Sequence, residues 1–555
     1  MNPASDLFAP DLFAPEHLMI APILIPFIAG ALMLLYDERQ RRAKLGISIG
    51  SALALLLVSI ELLNRAKGSH LPGDTGIGFY LLGDWAVPFG IVLVLDRLSA
   101  MMLMLTALLA VPALIYSAAG WHKQGQHFQS LFQFLLMGLN GAFLTGDLFN
   151  LFVFFEVLLA ASYGLLLHGS GQLRVRAGLH YIAVNLTASL LFLLGVSLIY
   201  GVTGTLNMAQ LSLVIPNLPA ADRPLLHAAA ALMGIAFLIK SGMWPLSFWL
   251  STAYMAGAAP VAAMFAIMTK VGVYVVMRLS LLLFGAGAGA SAGFGAEVLI
   301  AGGMATVTFG FLGVLASQGV GRMAAHLVLI SSGTALAVTG FALMGAGSAL
   351  LAGALYYLVS STLATSALFL LIEPMSREEG GIAAMLALTA DAYGLDDVED
   401  DGAPEVGFAI PGTLTILGLC FGACLLVLAG LPPLSGFLGK FAMLSAGLDQ
   451  SSVAAPLIWG FMALLLLSGL ATLIGMIRIG IRTFWVTDGA APKVLALEIA
   501  PVIVLIGMIL LLTIKAQHSI RYMEDTARAL LTPAIYTEGV MSAPRVVDQP
   551  KDDTP

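Results

Sequence analysis

Apolar residues run in stretches of about twenty along almost the whole chain, the length a helix needs to cross the hydrocarbon of a bilayer. On that criterion there are about fourteen stretches. They lie near 17–36, 45–63, 87–118, 128–146, 148–168, 178–201, 226–245, 258–284, 296–316, 324–345, 349–373, 409–445, 455–480 and 495–515. Two of them are interrupted. Ile239–Leu250 reads IKSGMWPLSFWL, with Pro245 inside the apolar run, and Ala429–Phe441 reads AGLPPLSGFLGKF, with Pro432, Pro433 and Gly436. Proline removes a backbone donor and clashes with the preceding turn, so both helices are expected to break there. Free backbone polar groups survive at membrane depth only where they line a protein-enclosed or hydrated cavity. The broken stretches are the seventh and the twelfth. That spacing predicts five-helix repeats, and an odd number of spans in each makes the second copy inverted.

The pattern therefore predicts an all-α polytopic membrane protein with two inverted five-helix repeats, each containing a broken helix. An N-terminal three-helix segment covers 1–125, and the first repeat covers 126–290 with its break near 240–250. The second repeat covers 291–482, with its break near 430–440 and an acidic loop at 374–408; a last helix and polar tail fill 483–555. Lys and Arg set the orientation. Arg39, Arg41, Arg42 and Lys44 fall in the first loop, Arg174 and Arg176 in the fifth, Arg322 in the ninth, and Arg482 and Lys493 in the thirteenth. Odd loops are thus expected in the cytoplasm and both termini outside, with Arg278, Arg521 and Arg528 on the wrong side of the rule.

Composition supports lipid as the solvent. Hydrophobic residues make up 59% and charged residues 10%, against about 25% charged in soluble domains, and mean hydropathy is +0.95. A net charge of −7 gives no basic surface for nucleic acid. Much of the acid lies in the loop at 374–408, which reads as a solvated linker or a docking surface. Cys420 and Cys424 sit in one apolar run and form no metal set. No nucleotide loop, zinc motif or nucleophile elbow appears, so no metal, no cofactor and no enzymatic chemistry of the chain's own are expected. The first residues lack the cationic region of a cleavable signal. The duplicated DLFAP at Asp6–Pro10 and Asp11–Pro15 carries no nameable chemistry, and the polar end from Ser542 on reads as disordered.

The chemistry lies in charges inside the apolar runs. Each costs about 2.5–3.5 kcal/mol at the centre of a membrane helix, so chance retention of several is improbable. Glu156 lies in LFVFFEVLLAASYGLLL, and Lys270 in VAAMFAIMTKVGVYVVM with a full apolar turn on each side. Lys240 precedes the first break and Lys440 follows the second. Burial penalises the charged form, and an approaching carboxylate restores it. A buried lysine whose carboxylate partner comes and goes therefore takes up and releases a proton, and a row of them bridged by water makes a relay. Glu156 is the natural partner for Lys240. His180 and His326, in apolar helices beside hydroxyl and amide side chains, are candidate relay members. Asp96 and Arg97 form a local polar site, and Asp147 in the GDLFN turn is expected to cap the fifth helix.

Four stretches together carry a resemblance: Phe154–Leu167 (FFEVLLAASYGLLL), Lys240–Tyr254 (KSGMWPLSFWLSTAY), Ala259–Tyr274 (APVAAMFAIMTKVGVY) and Gly430–Phe441 (GLPPLSGFLGKF). The chain resembles the antiporter-like membrane subunits shared by Mrp-type sodium/proton antiporters and respiratory complex I. Within them it looks most like the D subunit of the Mrp group, on GTLNMAQL at Gly204–Leu211, lysine at 440 and PAIYTEGVM at Pro533–Met541. The resemblance implies fourteen helices in two inverted repeats, and proton-handling roles for Glu156, Lys240, Lys270 and Lys440. It also implies a hetero-oligomer of several membrane subunits, without prosthetic groups in this chain. One departure stands out. In ALYYLVSSTLATSALFLL, family members commonly carry a histidine and a lysine where Ser360 and Thr365 stand here; His326 or water is expected to fill that gap.

The expectation is a proton-translocating, multi-pass subunit of a multisubunit monovalent cation (sodium)/proton antiporter in a bacterial inner membrane. Its partners would be other membrane subunits, protons, sodium and lipid. Two rivals stand beside it: the proton-pumping arm of complex I or a related hydrogenase, and a scaffold whose charges pair statically.

Overall fold

The computed structural model describes residues 15–37, 39–68, 76–121, 124–376, 412–450, 453–484 and 494–545. Nearly all of the duplicated DLFAP, the acidic loop beyond Ser376, Lys493 and the tail after Arg545 lie outside the described residues.

In chain order come α1 (Ala21–Leu35), α2 (Arg41–Arg65), a hairpin of β1 (Gly78–Leu81) and β2 (Val92–Leu95), and α3 (Arg97–Ser117). Next are α4 (Phe128–Leu144), α5 (Leu148–Leu166), α6 (Gln172–Thr203), α7 (Met208–Val214), α8 (Arg223–Ser241), α9 (Leu250–Ala256) and α10 (Ala259–Phe284). Then follow α11 (Ala296–Ala316), α12 (Val320–Leu343), α13 (Ser348–Ser376), α14 (Gly412–Ala429) and α15 (Ser435–Leu448). The chain finishes with α16 (Ala455–Phe484), α17 (Ala496–Ile514), α18 (Ala516–Leu530) and α19 (Pro533–Met541).

Twelve helices among the described residues are long and apolar enough to cross a membrane, and α1 and α4 are shorter apolar helices. Each apolar stretch read from the sequence overlaps one of these. The main departure is at the start of the third, near 87–118. There Val92–Leu95 is a strand, paired antiparallel with Gly78–Leu81, and the helix begins only at Arg97. A short apolar run has no period that separates strand from helix; here Gly90 and the capping Asp96 bound it. Asp96 accepts from the Ser99 N–H at 2.9 Å, and Asp147 caps α5 the same way through Asn150 N–H at 2.9 Å. Each satisfies a backbone donor that helix geometry leaves unpaired.

The most apolar windows of α10 and α12 are buried throughout, and that of α13 nearly so, so these three helices form the centre of the bundle. They pack on one another, with α8 against α10 and α15 against α13. Gly272 permits the α8–α10 approach: a Cβ there would lie 2.6 Å from the Ser241 nitrogen. The breaks fall where the prolines place them. α8 stops at Ser241 and helix resumes at Leu250; α14 stops at Ala429 and α15 begins at Ser435. Pro245, Pro432 and Pro433 all lie in the gaps. The residues that turn the chain out of the helices are Gly242 (φ 72°) and Gly430 (φ 78°), in a left-handed conformation that glycine adopts freely. Gly436, expected at the hinge, is instead inside α15, where it lets that helix close on the Val427 carbonyl.

Candidate functional site

The first cluster forms where α5, α6, α8, α9 and α10 converge. Lys240, in the last turn of α8, is buried; its Nζ donates to Asn185 Oδ1 of α6 at 3.4 Å and lies 5.4 Å from the Phe155 ring. A small cavity there is lined by Phe155, Asn185, Lys240, Trp249, Tyr254 and Thr269. The Tyr254 hydroxyl joins Thr269 Oγ1 and donates to the Phe265 carbonyl at 2.8 Å, so the half-helix after the break is tied to α10. Glu156 is half-buried on α5, next to Phe155, and its Oε1 is buried with no hydrogen-bond partner among the described residues. Among the described residues it forms no contact ion pair with Lys240, which donates to Asn185 instead.

Lys270 follows Thr269 on α10 and faces the other way. Its Nζ donates to Ser332 Oγ of α12 at 2.9 Å and to the Val328 carbonyl at 3.3 Å. Lys440 lies beyond the second break. Its Nζ reaches back to the Ala429 carbonyl at 3.1 Å and the Leu428 carbonyl at 3.5 Å, at the end of α14, and sits 5.7 Å from the Tyr357 ring. A helix ends with carbonyls that lack an intrahelical partner, and a cation there meets the negative end of the helix dipole.

Both histidines stand apart from this row. His180 is exposed on the outer face of α6, against Phe248, while Tyr181 and Asn185 take the inner face. His326 is buried but turned to α11: its Nδ1 meets the Arg322 carbonyl at 2.8 Å, its ring packs near Phe309, and Gly313 leaves room for it. Six positions turn the helix by a net of about 120°, so His326 and Ser332 leave it toward different neighbours, α11 and α10. His326 therefore does not fill the gap at α13. There, Ser360 Oγ pairs with Ser435 Oγ at 2.7 Å, and Thr365 Oγ1 donates into its own helix at the Ser361 carbonyl, 2.8 Å.

Two charge clusters at the bundle ends, one buried around Arg278 and one half-buried around Glu373, were not foreseen. Arg278 of α10 pairs with Asp96 at 2.6 Å and stacks near Tyr274 and Tyr536. Its position on the wrong side of the positive-inside pattern was the available signal, since a paired arginine no longer counts as loop charge. At the other end, Glu373 of α13 accepts from Trp121 Nε1 (2.8 Å), the Tyr116 hydroxyl (3.2 Å) and the Ala259 N–H (3.0 Å), the first residue of α10. No local pattern marks that carboxylate, because every donor comes from a distant stretch.

A membrane bundle with two broken helices and a row of buried lysines through its centre defines a class of ion-moving subunits. Residues 145–467 match the family described as NADH:quinone oxidoreductase/Mrp antiporter, TM. The chain belongs to that family. It is 55% identical over 542 residues to the D subunit of a probable K+/H+ antiporter of Rhizobium meliloti (strain 1021), covering 96% of this chain and 99% of that one. It is 34% identical to the D subunit of a Na+/H+ antiporter of Alkalihalophilus pseudofirmus, covering 95% and 99%. Among solved structures, a chain of the Mrp complex from Dietzia sp. DQ12-45-1b superposes with a TM-score of 0.77 at 25% identity, covering 96% of this chain and 100% of that chain.

Proposed function

We propose that this chain is the proton-moving membrane subunit of a multisubunit monovalent cation/proton antiporter of a bacterial plasma membrane. Protons pass between Glu156, Lys240, Lys270 and Lys440 with water between them. The observation that carries the reading is what the three lysines touch. Each is buried, and among the described residues each donates only to neutral oxygens: an amide, a serine with a carbonyl, and two carbonyls. A static scaffold would hold each ammonium against a carboxylate, because an uncompensated buried charge is expensive. A lysine with neutral acceptors tolerates both the charged and the neutral form, which a relay requires. The reading retains fourteen spanning helices, two inverted repeats with one break each, and proton transfer at both breaks; His180 and His326 drop out of the path.

The exchanged cation is potassium before sodium, because the relative at 55% identity is named for potassium and the one at 34% for sodium. Membrane subunits of the same complex complete the assembly. The test is cation-dependent pH change in everted vesicles, with potassium and sodium compared, after Lys240→Ala or Glu156→Ala. Loss of exchange in a complex that still assembles supports the reading; undiminished exchange sinks it. The family description also covers quinone oxidoreductases, so tagged purification of the chain distinguishes small antiporter subunits from redox subunits as its companions.

A further inference from the structure

Between Lys270 and Lys440, where relatives are expected to carry a histidine and a lysine, this chain sets out serines in a stepped order. Lys270 donates to Ser332 Oγ of α12 at 2.9 Å. The residue beside it, Ser331, shares a hydrogen bond with Ser361 Oγ of α13 at 2.6 Å. The residue beside that, Ser360, shares one with Ser435 Oγ at 2.7 Å. Ser435 is the first residue of α15, which carries Lys440. All these serines are at most 1% exposed. Three hydroxyl contacts thus cross three helix interfaces, with Lys270 bonded at one end and Lys440 five residues along α15 from the other.

We propose that this serine ladder carries protons between Lys270 and Lys440, with no titratable side chain storing a proton on the way. The proposal rests on the relay reading above. A hydroxyl both donates and accepts, so it passes a proton without gaining charge. As an N–H bond of the Lys270 ammonium breaks, Ser332 Oγ takes that proton and gives up its own to a bridging water. The water passes a proton to Ser331, which passes its own to Ser361. A second water links Ser361 to Ser360, which passes a proton to Ser435, and a third water carries the last proton from Ser435 to the neutral amine of Lys440, where a new N–H bond forms. Each hydroxyl and water is left reversed and rotates back, so only the two lysines change charge. They therefore change charge together, whereas a histidine between them would let each move alone.

The test uses the assembled complex in vesicles, with Ser360→Ala and Ser361→Ala each compared with the threonine substitution at the same position. Losing one hydroxyl leaves its partner unpaired, and exchange is expected to fall about tenfold or more, with recovery in the threonine variants, which keep the hydroxyl. Ser366→Ala serves as control: that hydroxyl is buried on the same helix and bonds to nothing among the described residues, so exchange should not change. If an alanine variant fails to assemble, the other member of the same pair is replaced instead, Ser435→Ala for Ser360 or Ser331→Ala for Ser361. Wild-type exchange in the alanine variants while Lys240→Ala is inactive overturns the ladder and leaves the relay standing. Wild-type exchange in Lys240→Ala as well overturns both.

Discussion

Lys270→Met is expected to stop exchange while leaving the complex about as stable as before. The ammonium lies at the centre of α10, which is buried throughout its apolar window. A charge at that depth costs about 2.5–3.5 kcal/mol. Against it stand two hydrogen bonds, of 2.9 and 3.3 Å, and bonds from a charged donor contribute about 1.5–3 kcal/mol each. The longer one shares a carbonyl already engaged in α12, so its share is at the low end. After substitution the Ser332 hydroxyl turns onto the Val328 carbonyl, four residues back in its own helix, and no polar group is stranded. Methionine is close in length and fills the same space. The loss of roughly 3–4.5 kcal/mol of bonding nearly cancels the relief of roughly 3 kcal/mol of burial, so the net change stays within about 1–2 kcal/mol. The assays are thermal unfolding of the purified complex and dye-monitored exchange in everted vesicles. A strongly lowered melting point with a normal rate per assembled complex would refute the argument, because the charge would then be serving packing.

The opposite pattern is expected at Asp96. Asp96→Ala strands the buried Arg278 guanidinium and uncaps α3, so stability falls by about 3–5 kcal/mol; replacing both partners should cost less than Asp96→Ala alone in the same melting assay. Glu373→Ala leaves the Ala259 N–H and the Trp121 indole N–H without this acceptor; a loss of about 1–3 kcal/mol for each of the two is expected, with Glu373→Gln milder. Gly430→Ala forces a side chain into φ 78° and places its Cβ 2.6 Å from Lys440 Cδ. Exchange should drop in a complex that still assembles, as read by vesicle assay beside membrane protein levels.

The sequence exposed the features that cost energy in lipid. Lys240, Lys270, Lys440 and both breaks stand out because a bilayer penalises charge and free backbone at depth. Hydropathy also located every long helix, since length and apolarity suffice for that. It could not tell Val92–Leu95 from the start of a helix, because β2 is defined by its pairing with Gly78–Leu81, a partner outside any local window. The same reason hid Glu373 and the meeting of Arg278 with Asp96. Facing was the other blind spot. His180 and Asn185 share one helix, and the periodicity of so apolar a segment does not say which of them looks inward. Ser360 looked like a missing residue in the sequence; its value appears only when Ser435 is seen opposite it.

The C-terminal helices have a consequence for assembly. The Tyr522 hydroxyl of α18 donates to the Arg97 carbonyl at 2.7 Å, Thr537 of α19 meets Ser212 at 2.7 Å, and Tyr536 lies 5.1 Å from the Arg278 guanidinium. These helices leave the ribosome after the fourteen apolar stretches have been made, yet they pack on the start of α3, on α7 and on α10. Insertion and sealing are therefore separate events in the life of the chain, and the second waits until residues 516–541 have been made. A chain stopped at Lys515 is expected to enter the membrane but to dissipate an imposed pH gradient in vesicles; a gradient held as long as with the full chain would contradict this.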